Sequence, residues 1–241
     1  MAEKVIGILG GMGPEATLDC FEKIIKNTPA GKDQDHLRVI IDSNPKIPDR
    51  TAAILGNGSS PLPLLLEGCR NLQQAGADFI IMPCISAHFF QENLRQQITL
   101  PFVSIFDVVA ESISRNHSEI KMVGLLGTTG TISGGLFQKR LREEGIETVI
   151  CNSKVQDLVM AAIYDIKKAQ ANRSREAITS DLADAAQVLV DSGAQGIIAG
   201  CTEIPLVLSP ADVTVPYFDS LLILARAAIR TAGVIPIPIA E

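Results

Sequence analysis

The 241 residues include 27 acidic and 21 basic side chains, which give a formal net charge of −6, and 46% of the residues are hydrophobic. The apolar share is typical of a folded globular chain, and the length suits one large domain or two small ones. The acidic balance argues against nucleic acid and anionic membranes as partners, because no basic patch is present to displace counterions from phosphates.

The N-terminal part of the chain predicts a strand, a glycine turn and a helix. Residues 4–9 form a short apolar run that ends at the turn 10–14, and a helical pattern follows with Leu18, Phe21, Ile24 and Ile25 on one apolar face. Such a turn exposes backbone N–H groups at the carboxyl end of a parallel strand. Anionic groups bind at such positions.

The remainder of the first half continues the alternation of strands and helices. We predict a strand at 37–42, an irregular segment at 43–54 whose two prolines exclude helix, a helix with Ser60 as N-cap and Pro61 as its first residue, a strand at 78–82, a helix at 86–97 and a short strand at 101–105. A helix over 107–115 then leads into the second half. The strand at 78–82 ends just before Cys84.

The second half repeats this pattern. We predict strands at 122–126, 147–150 and 196–200, helices up to residue 144, over 155–169 and over 174–192, and a final short strand and helix within 215–233. Strands that alternate with helices are typical of parallel sheets covered by helices on both faces.

Two pairs of segments match at one common offset of 117 residues. The pairs are 73–87 with 190–204 and 4–14 with 121–131. The first pair aligns Cys84 with Cys201, and each cysteine directly follows an apolar strand. Self-similarity at a fixed offset indicates a duplicated unit. The sequence therefore predicts two similar doubly wound parallel-sheet domains related by pseudo-twofold symmetry.

The duplicated cysteines suggest a chemistry. Reactive groups in parallel α/β sheets lie past the carboxyl ends of strands, so two facing halves would bring the thiols of Cys84 and Cys201 into one cleft. Inversion of a stereocentre by proton transfer requires a base on one face and an acid on the other, which is the chemistry of a racemase or epimerase. One sulfur must start as thiolate and the other as thiol.

The other three cysteines carry no such signal. We expect Cys20, Cys69 and Cys151 to be core residues, because buried cysteine is common in protein interiors. Five cysteines without CxxC or zinc-ligand spacing indicate neither a disulfide framework nor a metal site. With no secretion signal and no apolar run of about 18 residues, we expect a cytoplasmic protein with reduced thiols and no membrane partner.

Seven motifs in order along the chain resemble the aspartate/glutamate racemase family, most closely its aspartate racemase branch. They are GGMGPEAT (10–17), DQDH (33–36), NPKIPDRT (44–51), PCISAH (83–88), LLGTTGT (125–131), IYDIK (163–167) and GCTEIP (200–205). The resemblance implies cofactor-independent racemisation of an acidic amino acid, most simply aspartate, without pyridoxal phosphate. It also implies two α/β domains with the active site between them, and a homodimer. The expected domains are 1–103 plus 217–241, and 104–216.

The resemblance also assigns site residues beside the catalytic pair. The expected substrate-binding set is Gly11, Met12, Gly13, Arg50, Ile85, Ser86, Thr128, Thr129, Thr131, Lys167, Thr202 and Glu203. Arg50 is the expected clamp for a substrate carboxylate and Lys167 a second carboxylate contact. Thr202 and Glu203 are expected to orient Cys201 or bind the substrate ammonium group. For His88, four residues after Cys84, we favour a structural or supporting role.

One position departs from the family pattern. The family usually has Cys-Asn-Thr where this chain has Cys84-Ile85-Ser86, so an amide that would bond the substrate is replaced by an apolar side chain. A site that lacks such a bond loses discrimination for a polar substrate. A less polar amino acid, or weak activity, therefore stays open as an alternative to aspartate.

Three other functions remain open at this stage. The pattern Gly11-x-Gly13-x-x-Ala16 formally fits a dinucleotide-binding oxidoreductase, although Pro14 removes an amide from the turn. A related decarboxylase or cis–trans isomerase would use only one of the two cysteines. An amino-acid sensor would bind its ligand without exchanging the α-proton.

Overall fold

The computed structural model describes residues 3–168 and 173–238 as an α/β fold with two parallel sheets. The strands are β1 (Ile6–Gly10), β2 (Val39–Ser43), β3 (Phe79–Ile81), β4 (Met122–Gly127), β5 (Glu147–Ile150), β6 (Ile197–Gly200) and β7 (Tyr217–Asp219). The first sheet has the order β2-β1-β3 and the second the order β5-β4-β6-β7. The predicted fold class is confirmed.

Helices cover the sheets and connect the strands. They are α1 (Pro14–Asn27), α2 (Arg50–Ile54), α3 (Leu62–Gln74), α4 (Gln91–Arg95), α5 (Ile105–Asn116), α6 (Thr129–Gly134), α7 (Leu136–Glu143), α8 (Ser153–Ile166), α9 (Arg175–Asp191) and α10 (Ser220–Thr231). In the described part of the chain, none of them combines the length and apolarity needed to cross a bilayer. Residue 169, the predicted end of the helix here named α8, lies outside the described residues.

The strand register repeats between the sheets. Gly7 of β1 pairs with Ile80 of β3, and Gly124 of β4 pairs with Ile197 of β6. Both pairs are related by the offset of 117 residues that aligns the two halves of the sequence. In both sheets the strand that precedes the glycine-rich turn lies next to the strand that leads to a cysteine, so the duplication extends to the backbone pairing.

The two sheets share an apolar core. One cluster of buried side chains includes Ile8 of the first sheet, Leu125 and Ile198 of the second, and Leu224 of α10. Helix α10 packs against both α1 and α5. The last helix of the chain thus returns to the first, as the racemase resemblance implies.

The predicted domain division stays a proposal. Strand β7 pairs with β6 in the second sheet, although it begins at residue 217, where we placed the return to the N-terminal domain. Helix α10, which follows it, packs on α1. A division in which residues 217–219 stay with the second sheet fits these contacts better. Residues 1–2 and 239–241 of the proposed domain lie outside the described residues.

Several local predictions differ from the structure. Leu18 and Ile25 are 67% and 40% exposed, because the buried stripe of α1 runs through Ala16, Cys20 and Ile24. The segment expected to be irregular contains α2. Both of its prolines precede Asp49, whose side chain caps this helix by accepting the N–H of Ala52 at 2.7 Å.

The helix expected at 86–97 is divided. Ser86–Phe90 forms a 3₁₀ helix, and α4 follows it. The carbonyl of Cys84, which an α-helix would offer to the amide of His88, instead contacts the imidazole of His88 at 3.0 Å. The amide of His88 therefore donates to Ile85, one residue closer, in the 3₁₀ pattern. The strand expected at 101–105 is reduced to one bridge between Ile80 and Phe102.

Candidate active site

Both duplicated cysteines lie just past strand ends. Cys84 follows β3 and Cys201 directly follows β6, and each residue is 6% exposed. The two side chains line one cleft between the sheets. The structure thus brings together the pair that the repeat singles out.

The cleft is narrow. Its lining is formed by Asp49, Arg50, Thr51, Cys84, Ile85, Ser86, Thr128, Ile163, Tyr164, Lys167, Cys201, Thr202 and Glu203. The free volume is about 20 Å³, close to the space that a single water molecule needs. An amino acid would have to widen this cleft to enter it, so the structure has a closed form of the site.

Cys201 is held as a thiol. Its Sγ donates to Oε2 of Glu203 at 2.9 Å. Burial raises the pKa of Cys201, the carboxylate of Glu203 raises it further, and the ammonium group of Lys167 only partly opposes them. The Cys201 side chain is therefore suited to give a proton rather than to take one first.

Glu203 connects the two halves at the mouth of the cleft. The residue is 3% exposed, and its carboxylate forms an ion pair with Lys167. Its Oε1 also accepts the amide N–H of Gly13 at 3.1 Å. Thr202, beside it, donates from Oγ1 to the carbonyl of Pro83 at 3.1 Å. Both contacts tie the Cys201 loop to the first half of the chain.

Arg50 lies beside the other thiol. Burial lowers the pKa of Arg50, but the interactions with Cys84, Asp49 and Glu203 together outweigh this effect and raise it. The guanidinium donates to the carbonyls of Pro48 at 2.9 Å and Met12 at 3.1 Å, whereas its Nε is buried without a partner among the described residues. Arg50 can therefore neutralise negative charge on the sulfur of Cys84 and still offer a donor to a ligand.

The two sulfurs consequently have neighbours of opposite charge. Cys84 has the cation Arg50 beside it, and Cys201 has the carboxylate of Glu203. A cation favours a thiolate and a carboxylate favours a thiol. The two sulfurs therefore lie in different electrostatic surroundings within one cleft.

Three hydroxyl groups form a cluster at one side of the cleft. The Oγ of Ser86 lies 3.0 Å from Oγ1 of Thr128 and 3.2 Å from Oγ1 of Thr131. Thr128 and Ser86 line the cleft, whereas Thr131 lies behind them beside a small apolar cavity. Thr129 is not part of the lining, and its amide points at the sulfur of Met160 at 3.1 Å. Substrate contact thus remains a prediction for Thr129 and Thr131, and the geometry favours Thr128.

The glycine turn lies next to the cleft instead of lining it. Gly11, Met12 and Gly13 line an adjoining cavity of about 390 Å³. Three residues, Arg50, Lys167 and Glu203, line both this cavity and the cleft. These three charged side chains thus lie between the glycine turn and the cleft. A substrate that contacts the turn would occupy the adjoining cavity as well.

Ile85 lies at the position where the racemase resemblance leads us to expect asparagine. Its side chain is 2% exposed, belongs to the core shared by the two sheets and lines the cleft. The wall next to Cys84 therefore presents apolar surface and no hydrogen-bond donor at this point.

His88 supports Cys84 from behind. The imidazole is 3% exposed, and its Nε2 accepts the amide N–H of Ile105 at 3.4 Å. The proton must then be on Nδ1, which donates to the carbonyl of Cys84 at 3.0 Å. Burial lowers the pKa of His88 to about 4, so the ring is neutral near pH 7. These contacts fit the supporting role that we expected.

Four lining residues were not named from the sequence, namely Asp49, Thr51, Ile163 and Tyr164. All four lie within the motifs NPKIPDRT and IYDIK. Tyr164 precedes Lys167 by three residues on one helix, a spacing that places both on the same face. This spacing was the signal in the sequence that could have identified Tyr164 as a lining residue.

The three remaining cysteines lie in apolar cores, as expected. Cys20, Cys69 and Cys151 are all buried, each in a different cluster. Burial raises the pKa of Cys69 to about 12 and that of Cys151 to about 11. Such thiols stay protonated and are poor nucleophiles or bases near neutral pH.

Comparison with known proteins adds relatives over nearly the whole chain. The broad specificity amino-acid racemase RacX of Bacillus subtilis is 30% identical over 233 residues, which cover 94% of this chain and 97% of that protein. The aspartate racemase of Picrophilus torridus is 32% identical, with a TM-score of 0.86 over 97% of this chain and 96% of that chain. An aspartate racemase homologue from Pyrococcus horikoshii is 28% identical, with a TM-score of 0.73 over 95% of this chain and 99% of that chain.

More distant structures share the fold alone. A glutamate racemase isoform of Bacillus anthracis is 20% identical and superposes with a TM-score of 0.64 over 98% of this chain and 85% of that chain. The profile of the Asp/Glu/Hydantoin racemase family matches residues 9–228. The chain is therefore a member of the Asp/Glu/Hydantoin racemase family, whose racemases belong to the isomerase class of enzymes.

Proposed function

We propose that this protein is a cofactor-independent amino-acid racemase that uses Cys84 and Cys201 as its two acid–base groups. The observation that carries the proposal is the opposite charge of their neighbours within one cleft, Arg50 beside Cys84 and Glu203 beside Cys201. Two-base racemisation requires this asymmetry, because one group must begin deprotonated and the other protonated.

The proton transfers balance without any other reactant. The thiolate of Cys84 takes the proton from the α-carbon on one face of the substrate, and the electron pair of the broken C–H bond passes into the α-carboxylate. The thiol of Cys201 then gives its proton to the α-carbon on the opposite face. The enzyme is left with a Cys84 thiol and a Cys201 thiolate, which is the state that processes the other enantiomer.

The charge that develops on the substrate needs fixed donors. Arg50 has a buried Nε free of partners among the described residues, which supports its role as the clamp of the α-carboxylate. The hydroxyls of Thr128 and Ser86 line the cleft as further donors. The carboxylate of Glu203 is the natural partner of the substrate ammonium group.

The proposed substrate is aspartate. The two lining cations, Arg50 and Lys167, could each pair with one carboxylate of a dicarboxylic amino acid. Lys167 is already paired with Glu203, however, and Ile85 places apolar surface beside Cys84. The apolar wall favours including uncharged amino acids among the candidates, and a relative of this chain is named for broad specificity.

Chiral chromatography of both enantiomers of aspartate, glutamate, alanine, leucine and lysine tests this proposal. We expect interconversion of at least one pair by the purified protein, and its loss in both Cys84→Ser and Cys201→Ser. Cys20→Ala is the control, since that thiol lies in a core cluster that contains neither cleft cysteine. Activity that survives the loss of either cleft cysteine would instead support a one-cysteine isomerase or decarboxylase.

We further propose a homodimer, as the family resemblance implies, and a cytoplasmic location, as we expected from the sequence. Light scattering coupled to size-exclusion chromatography would measure the mass. A mass near 26 kDa, that of one chain, would contradict the dimer.

A further inference from the structure

A second cavity lies outside the cysteine cleft. It has a volume of about 600 Å³ and is formed by the end of α5, the segment after Cys201, strand β7 and helix α10. It shares no lining residue with the cleft or with the cavity at the glycine turn. Volumes of this size are typical of small-molecule sites in proteins.

Two arginines give the cavity a positive wall. Arg226 and Arg230 lie one turn apart on α10, and both line the cavity. The Nη1 of Arg226 donates to Oδ1 of Asn27 at 2.6 Å and to the carbonyl of Ile237 at 2.7 Å, and both acceptors are neutral. Across residues 3–168 and 173–238, neither arginine forms an ion pair. Burial and the proximity of Arg230 both lower the pKa of Arg226.

The carboxylate in the cavity wall is already engaged. Asp219 caps α10 by accepting the amide N–H groups of Leu221 at 2.9 Å and Leu222 at 3.0 Å. Its other oxygen pairs with Lys23 at 3.4 Å. Asp219 is thus not available to neutralise the arginines, and the wall keeps a net positive charge in a chain whose overall charge is −6.

One side of the cavity is apolar and aromatic, whereas Ser112, Asn116 and Ser209 add polar groups elsewhere in the lining. The rings of His117 and Phe218 meet edge to face at a centroid distance of 5.2 Å. Leu208, Leu222 and Ile223 complete this side of the cavity. A ligand that fits both walls carries an anionic group at one end and an apolar ring or branched chain at the other.

We propose that this cavity binds a small organic carboxylate with an aromatic or branched apolar body, whose carboxylate pairs with Arg226 and Arg230. The cavity also reaches the segment that follows Cys201, since Pro205 in its wall is two residues beyond Glu203. Because its lining shares no residue with the cysteine cleft, this cavity would be a second ligand site, separate from the one that holds the racemisation substrate.

Isothermal titration calorimetry with phenylacetate tests the proposal, with the neutral phenylacetamide as the matched compound. We expect phenylacetate to bind and phenylacetamide to bind at least tenfold more weakly. Arg230→Ala should weaken phenylacetate binding by about tenfold, because one of two charge-assisted contacts is lost. Arg230 is exposed and forms no side-chain hydrogen bond within the described residues, so this variant should fold.

Two control variants separate this cavity from other anion sites. Arg70→Ala removes an exposed arginine on α3 and should leave binding unchanged. Arg50→Ala should also keep phenylacetate binding, because Arg50 lines the cysteine cleft. Absence of phenylacetate binding, equal binding of the neutral compound, or binding lost in Arg50→Ala but kept in Arg230→Ala would each overturn the proposal.

Discussion

Cys84 and Cys201 occupy equivalent places in a duplicated unit, yet their surroundings differ in charge. The repeat and the strand ends were sufficient to select both residues from five cysteines. The neighbour Glu203 was within reach of the sequence, because it is two residues beyond Cys201. The repeat could not place Arg50 beside Cys84, because Arg50 comes from a separate segment that only the fold brings to the cleft. The sequence analysis also grouped Thr128, Thr129 and Thr131 as substrate contacts. In the structure Thr128 caps α6, whereas Thr129 and Thr131 lie in the first turn of that helix, so the three side chains point in different directions.

At the residue scale, removing the charge of Glu203 should lower the pKa of Cys201. The carboxylate raises that pKa, so Glu203→Gln, which keeps an oxygen acceptor but loses the charge, should shift the titration midpoint to lower pH. The rate of iodoacetamide labelling of Cys201 against pH, read by peptide mass spectrometry in a Cys84→Ala background, measures the midpoint. Glu67→Gln on exposed α3 surface is the control. An unchanged or higher midpoint in Glu203→Gln would show that the carboxylate does not act on this thiol.

His88 should make stability depend on pH in the acid range. Its pKa is about 4 when folded and near 6.5 when unfolded, so the unfolded chain binds more protons between these values. Stability contributed by the neutral ring is present above pH 6.5 and is lost as the pH falls. Between pH 6.5 and 4.5 the loss should be about 2 kcal/mol.

Urea unfolding at several pH values measures this dependence. The variant His88→Asn should have a shallower fall in the free energy of unfolding over that range than the unmodified protein. His36→Asn, at an exposed position, should keep the full slope. Equal slopes in all three proteins would mean that His88 is not buried as a neutral ring.

At the scale of elements, the strands and long helices followed from apolar periodicity and turn residues. The predictions of helix type and helix start failed where a side chain forms a hydrogen bond with a backbone group. Asp49 starts a helix that the prolines before it do not prevent, and the ring of His88 takes the carbonyl that an α-helix would use. Neither contact has a signature in local periodicity.

Thr128 links element stability to the site. Its hydroxyl caps α6 by accepting the amide N–H of Thr131 at 3.0 Å, and it contacts Ser86 from the other half. Thr128→Ala should lower the free energy of unfolding by about 1 kcal/mol through the lost cap. Turnover should fall about tenfold or more because a cleft donor is removed.

The matched variant Thr128→Ser keeps the hydroxyl and should recover most of both quantities. Urea unfolding and the racemisation assay measure them on the same preparations. If Thr128→Ser behaved like Thr128→Ala, the methyl group rather than the hydroxyl would account for the effect.

At the scale of the whole molecule, duplication predicted two similar halves but not how they are joined. The core cluster runs from Ile8 in the first sheet through Leu125 in the second to Leu224 in α10. Such continuity depends on side chains far apart in sequence, which periodicity cannot pair. The shared core implies that the halves do not unfold independently.

The protein should therefore unfold in one cooperative transition. Leu224→Ala, which truncates a fully buried side chain, should lower the free energy of unfolding by about 2–5 kcal/mol and shift the whole transition. Leu18→Ala, at a position that is 67% exposed, should change it by less than about 0.5 kcal/mol. Far-UV circular dichroism is the suitable probe because the chain contains no tryptophan. Two resolved transitions would contradict a shared core.

The two-cysteine mechanism makes one direct prediction in deuterated water. With two bases, the product receives deuterium from the acid on the far face, while the substrate that remains keeps its α-hydrogen at early times. NMR of the α-position combined with chiral separation would measure deuterium in each enantiomer before one tenth of the substrate is converted. The account predicts deuterium in the product enantiomer and almost none in the substrate. Equal deuterium in both enantiomers would mean that a single base serves both faces, and would contradict the assignment of Cys84 and Cys201 as a pair.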